Sequence, residues 1–167
     1  MTGKIWLTKE EWTRSIGPIW RGGIIGFIIG VLPGAGGTIA SIMSYTTEKR
    51  LSKNPDEFGK GAIEGVAGPE SANNSDTAGA MVPLLTLGIP GGGATAVLMG
   101  AFIMYGIQPG PLLFQNRPDL VWGLINSMYI GNIMLLILNL PLIGIFVRLL
   151  YIPPGILYPL IIAISVI

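Results

Sequence analysis

Two short stretches of this sequence set bare backbone between apolar arms. They are Pro33-Gly34-Ala35-Gly36-Gly37-Thr38 and Pro90-Gly91-Gly92-Gly93-Ala94-Thr95. Aligned, they share Pro, Gly, Gly and Thr at a constant offset. Proline has no amide hydrogen, and glycine lets the backbone approach a ligand closely. A helix starting near Thr38 or Thr95 would offer uncapped N–H groups and a positive dipole end to an anion, with the threonine hydroxyl as a further donor. Two such ends meeting in a membrane would hold a carboxylate with little or no buried Lys or Arg, and the arms around both breaks contain none. Neither a Walker loop nor a dinucleotide fingerprint fits these glycines.

A second group of candidates is Asn73, Asn74, Ser75 and Asp76, within the polar stretch 70–76. Carboxylate and amide oxygens there suit a coupling cation or a water-filled vestibule. The alternative is a solvated loop that caps the next helix through Ser75 or Asp76. The sequence has no cysteine and no histidine, which removes disulfides, thiol chemistry, most zinc sites and Ser-His-Asp machinery. No catalytic residue, metal site or resident cofactor is expected, and an enzyme is not the reading. A net charge of +1 gives no case for a nucleic-acid partner.

The elements that must position these residues follow from composition. Only 11% of the 167 residues are charged and 50% are hydrophobic, where a soluble domain usually carries about 25% charged residues. The fold class expected is all-α: a polytopic membrane protein with re-entrant or broken helices at Pro-Gly-rich loops, in contact with the lipid bilayer. Residues 1–15 read as an interfacial segment, with Thr8 and Glu11 as a capping box and Trp6, Trp12 and Trp20 at the membrane boundary. Residues 16–167 read as the membrane domain, with broken segments 22–47 and 77–107. An amphipathic linker helix is expected over 55–67, started by Asn54-Pro55 and ended by Gly68-Pro69. A long helix over 119–150, with a kink at Pro141, precedes an incomplete span over 156–167. That last stretch makes the chain read as a fragment of a longer protein.

Each arm of the first broken segment has about ten residues, or roughly 15 Å of helix. Basic residues flank it on both sides: Lys9, Arg14 and Arg21 before, Lys49, Arg50, Lys53 and Lys60 after. Basic loops prefer the cytoplasm, so a hairpin is favoured over one kinked span. Gly22, Gly26 and Gly30 form a small-residue stripe for helix packing. Glu64 reads as a surface residue of the linker helix, and Asn132 and Asn139 as partners for neighbouring helices.

The stretches 30–37, 44–50, 61–74 and 106–114 resemble the large permease subunit of the tripartite tricarboxylate transporters, the TctA type. The likeness runs from about Ile16 to Leu150. It implies a multi-pass subunit of the bacterial inner membrane in a secondary, cation-coupled uptake system. Its partners would be a periplasmic solute-binding protein and a small membrane subunit, its substrate a carboxylate, and its coupling ion sodium or a proton. In the family's two-halved architecture the chain resembles the start of the second half. The family's Pro-Gly loop carries over to Pro33–Gly37 and its Ala-Asn-Asn stretch to Ala72–Asn74. The departures from this reading are a passive anion channel and a membrane scaffold subunit without transport activity of its own.

Overall fold

A computed structural model describes residues 7–149 and 152–166, so Lys4 and Trp6 lie outside it. The described residues form helices joined by turns and short loops, without a strand. The helices are α1 Lys9–Val31, α2 Gly36–Leu51, α3 Glu64–Leu87, α4 Gly93–Met104, α5 Leu113–Asn116, α6 Pro118–Leu149 and α7 Pro154–Val166. By their internal contacts residues 7–121 and residues 122–166 belong to separate units.

The first unit is built on α1, α2 and α3. The Thr8 amide donates to Glu11 Oε2 at 2.7 Å and the Glu11 amide to Thr8 Oγ1 at 3.2 Å, so the capping box forms. The bonds donated to Oε2 by the Thr8 amide and hydroxyl hold the Glu11 carboxyl below its ordinary value. The helix begun at Lys9 continues through Pro18 to Val31 as one rod of about 34 Å. Pro18 is in the helix interior but buried, where tertiary packing offsets the lost backbone bond.

After Val31 the chain turns over Leu32–Ala35 and folds back as α2. The Arg21 guanidinium grips Glu48 with two bonds, Nε–Oε1 at 2.8 Å and Nη2–Oε2 at 2.6 Å. Arg14 reaches Glu64 at 2.7 Å and Glu57 at 3.2 Å. Both charged islands therefore gather at one end of a helical hairpin, and the apolar stretches 22–31 and 36–47 point away from it. A cavity of about 310 Å³ opens there, lined by Arg14, Arg21, Glu48, Lys53 and Glu64 among others.

α3 departs furthest from the sequence expectation. The linker is a single 3-10 turn at Pro55–Glu57 rather than a helix over 55–67, and Asn54 makes no side-chain cap. Phe58 then anchors the connection by stacking edge-on against Tyr45, with ring centres 5.4 Å apart. Glu64 opens a new helix that runs unbroken through Gly68-Pro69 and the whole polar stretch. The reason is tertiary. Gly22, Gly26 and Gly30 press their α-carbons against the backbones of Gly68, Ala72 and Asp76. The Ser71 and Ser75 hydroxyls donate to the Ile19 and Gly23 carbonyls, each at 2.7 Å. Both sets of pairs advance four residues at a time in the same sense, so α1 and α3 run parallel at backbone contact. Such approaches allow Cα–H···O contacts of about 0.5–1 kcal/mol each. The seam thus supplies partners that a local reading of 70–76 assigns to water.

Pro118–Ile145, in the second unit from Trp122 onward, is the one helical stretch among the described residues that is long and apolar enough to cross a membrane. It continues past Pro141. Asn132 and Asn139 are both exposed, as are the apolar side chains of residues 133–138 between them. α7 begins at Pro154, two residues before the expected segment.

Candidate functional site

The two Pro-Gly breaks, 57 residues apart in sequence, touch. The Gly34 amide donates to the Gly91 carbonyl at 2.9 Å. A Cβ placed on Gly92 would stand 4.0 Å from the α-carbon of Gly36. The N-termini of α2 and α4 therefore abut.

The longer α3 makes this possible. Gly30, in the last turn of α1, packs at the level of Asp76, and α3 continues eleven residues further to Leu87, about 16 Å. Gly88 then stops it in the left-handed region (φ 70°), its amide bonded back to Leu84. Residues 88–92 return alongside α3 until Gly91 lies buried against Ala80 and the Gly30 carbonyl. Four extended residues span up to about 14 Å, enough to descend the two turns between Leu87 and Ala80.

At the first break Pro33 and Gly34 are exposed, and Gly34 and Gly36 hold φ values of +83° and +71°. Ala35 is the N-cap of α2 and offers no side-chain acceptor, so the first-turn amides of Gly36, Gly37 and Thr38 lack a cap of their own. At the second break Gly93 and Ala94 are exposed while Thr95 is buried. The Thr95 hydroxyl accepts from the Gly92 amide and donates to the Gly92 carbonyl, both at 2.9 Å. The expected extra donor is thus committed to capping at Thr95, while Thr38 remains exposed.

The polar candidates divide between two faces of α3. Asn73 and Asp76 look toward the start of α2: the Asn73 amide oxygen lies against Gly37, and Asp76 Oδ2 would be 3.4 Å from a Cβ there. Asn74 and Ser75 face elsewhere. Ser75 ties α3 to α1, and the Asn74 side chain donates from Nδ2 to the Glu70 carbonyl at 2.8 Å. Asp76 is only 7% exposed, and its Oδ1 has no hydrogen-bond partner. Among the described residues no three acidic side chains converge as a metal site would need.

Sequence reasoning missed three contributors. Ala80 forms the floor under Gly91, Gly88 sets the return point, and the Arg21–Glu48 pair closes the far end of the hairpin. The four-residue spacing of Gly68, Ala72, Asp76 and Ala80, matching that of Gly22, Gly26 and Gly30, was the available signal for the seam.

Residues 1–167 match the profile of the family described as "Tripartite tricarboxylate transporter TctA family". Two curated relatives come from Agrobacterium vitis. The "Uncharacterized 52.8 kDa protein in TAR-I ttuC' 3'region" is 55% identical over 163 residues, which is 98% of this chain and 32% of that protein. The "Uncharacterized protein in TAR-II ttuC' 3'region" is 58% identical over 137 residues, 82% of this chain and 57% of that protein. The chain thus spans about a third of the first relative and somewhat over half of the second. No solved structure matches.

Proposed function

Because the chain belongs to the tripartite tricarboxylate transporter TctA family, we propose that it is part of the permease subunit of a secondary, cation-coupled carboxylate uptake system. The permease would be multi-pass in the bacterial inner membrane, fed by a periplasmic solute-binding protein and completed by a small membrane subunit. The site proposed is the meeting point of Pro33–Thr38 and Pro90–Thr95. One observation carries it: two helix N-termini from a duplicated motif abut, joined through the Gly34–Gly91 bond. Amides at Gly36, Gly37 and Thr38 and at Gly93 and Ala94 would receive the carboxylate oxygens. Broken helices paired in this way are the arrangement by which transporters hold anionic groups at mid-membrane.

The test is uptake of labelled carboxylate by the full-length protein with its partners, comparing wild type with Gly93→Leu. A Cβ on Gly93 meets nothing within 4 Å, so the leucine fits the fold and adds bulk at the first residue of α4. Uptake should fall by more than tenfold while membrane insertion is retained. Wild-type uptake by Gly93→Leu would sink the site. Uptake that persists without accumulation after the cation gradient is collapsed would favour a channel.

The hairpin has its own test. Arg14, Arg21 and Lys53 line one cavity, so cysteines at Lys9 and Lys53 should be labelled from the same side of the membrane. Labelling from opposite sides would refute a re-entrant hairpin.

A further inference from the structure

Two carboxylates are almost fully buried in the first unit, and they are treated differently. Glu48 is 2% exposed and both its oxygens are held by Arg21. Asp76 is 7% exposed, with Oδ1 shut away from solvent and unpartnered. It is the thirteenth of 24 residues in α3, about 17 Å from either end.

Among the described residues no cation pairs with it. On α1, which packs against it at Gly30, the nearest charge is Arg21, about 13 Å away along the helix. On α2, which faces it at Gly37, the nearest is Glu48, about 16 Å along that helix. Tyr45 on α2 is packed against Phe58 and Gly65. α4 and α5 carry no charge, and Tyr105 follows the end of α4. Along α3 itself Glu70 is about 9 Å away and Glu64 about 18 Å. An unpaired charge in a membrane-embedded position is expensive and ordinarily functional.

Its placement says what it does. Asp76 Oδ2 is aimed at the first turn of α2, the same uncapped helix end to which the carboxylate site is assigned. An ionised Asp76 occupies the favourable dipole end and repels any second anion there. A neutralised Asp76 frees it. We propose that Asp76 is the coupling group: a monovalent cation, proton or sodium, neutralises it and thereby admits the substrate anion. Asn73 supplies a second oxygen beside it when the cation is sodium. By reciprocity the bound anion raises the affinity for the cation to the same extent. The inference rests on the proposed carboxylate function and deepens it.

The test uses the full-length complex in proteoliposomes, with citrate, succinate and malate as probes. One arm varies pH without sodium and the other varies sodium at fixed pH, which separates the two cations. Wild type should accumulate at least one probe, with apparent affinity rising about fivefold or more with the effective cation. Asp76→Asn should exchange that probe across the membrane but not concentrate it, and its affinity should no longer respond to the cation. Cation-driven accumulation by Asp76→Asn overturns the inference and leaves the carboxylate function standing. Uptake of none of the probes by wild type overturns both. If Asp76→Asn is not recovered from the membrane, Asp76→Glu decides: a shifted cation midpoint supports the assignment, and an unchanged one overturns it.

Discussion

The two Pro-Gly breaks carry one motif and solve two different problems. At the first, the chain reverses directly from α1 into α2, and its glycines are needed for conformation: Gly34 and Gly36 hold positive φ with open space around them. At the second, the chain overshoots, returns along α3 and then starts α4, and its leading glycine is needed for room. A Cβ on Gly91 would lie 2.7 Å from the Ala80 Cβ and 3.0 Å from the Gly30 carbonyl oxygen. One aligned column of the motif, Gly34 and Gly91, therefore holds glycine twice for unlike physical reasons. One break is an open hinge of backbone, the other a plug seated in the α1–α3 seam.

The largest expected effect tests the plug. Gly91→Ala must push the second break off Ala80 and so strain or break the Gly34–Gly91 bond. Overpacking of this kind costs about 1–3 kcal/mol. The aligned Gly34→Ala meets no atom and carries only the left-handed penalty. Thermal melting of the purified full-length protein in detergent should rank Gly91→Ala well below Gly34→Ala. Ala80→Gly should restore part of the loss in Gly91→Ala and none in Gly34→Ala. Equal losses for the two single variants would erase the distinction.

Next is Gly36→Ala, placing an L-residue at φ +71° at a cost of about 1–2 kcal/mol. Asparagine tolerates that region better than alanine, so Gly36→Asn should melt above Gly36→Ala. Were cavity volume the constraint, the larger asparagine would melt lower.

How much of this was legible is uneven, and the unevenness has a cause. Pro33, Gly34, Pro90 and Gly91 announce themselves locally, because a proline followed by several clustered glycines is a strong break, unlike the single prolines that α1, α3 and α6 absorb. The hairpin was legible from the charges flanking it, and the long α6 from its unbroken apolar run. The course of α3 was not. Pro69 and the stretch 70–76 carry every local sign of a loop, and the helix persists because Ser71 and Ser75 find carbonyls at Ile19 and Gly23, some fifty residues earlier. The contact between the breaks was hidden for the same reason. It depends on how far α3 outruns α1, which is a matter of packing register rather than of any residue in either motif.

The threonines closing the motif give a smaller contrast. Thr95 is buried and its hydroxyl satisfies the Gly92 amide and carbonyl, whereas Thr38 is exposed. Thr95→Val keeps the shape and removes the cap, for a loss of about 1 kcal/mol. Thr38→Val should change stability by less than about 0.5 kcal/mol. Any effect of Thr38→Val on carboxylate binding would then belong to the site, since Thr38 has no capping duty comparable to that of Thr95.

The smallest effect carries the opposite sign. Gly93 occupies the column of Gly36 in the repeat, yet it has neither a positive φ nor a neighbour within 4 Å of a built Cβ. It is the first residue of α4. Alanine there narrows the unfolded ensemble without straining the helix, a gain of about 0.4–1 kcal/mol. Gly93→Ala should therefore raise the melting temperature slightly, where Gly36→Ala lowers it. If Gly93→Ala also weakens carboxylate binding, stability and function separate at a single methyl group. A glycine kept at a position where the fold would gain from alanine is then accounted for by the ligand. A stabilised protein with unchanged binding would instead remove Gly93 from the site and leave the anion to the amides of α2.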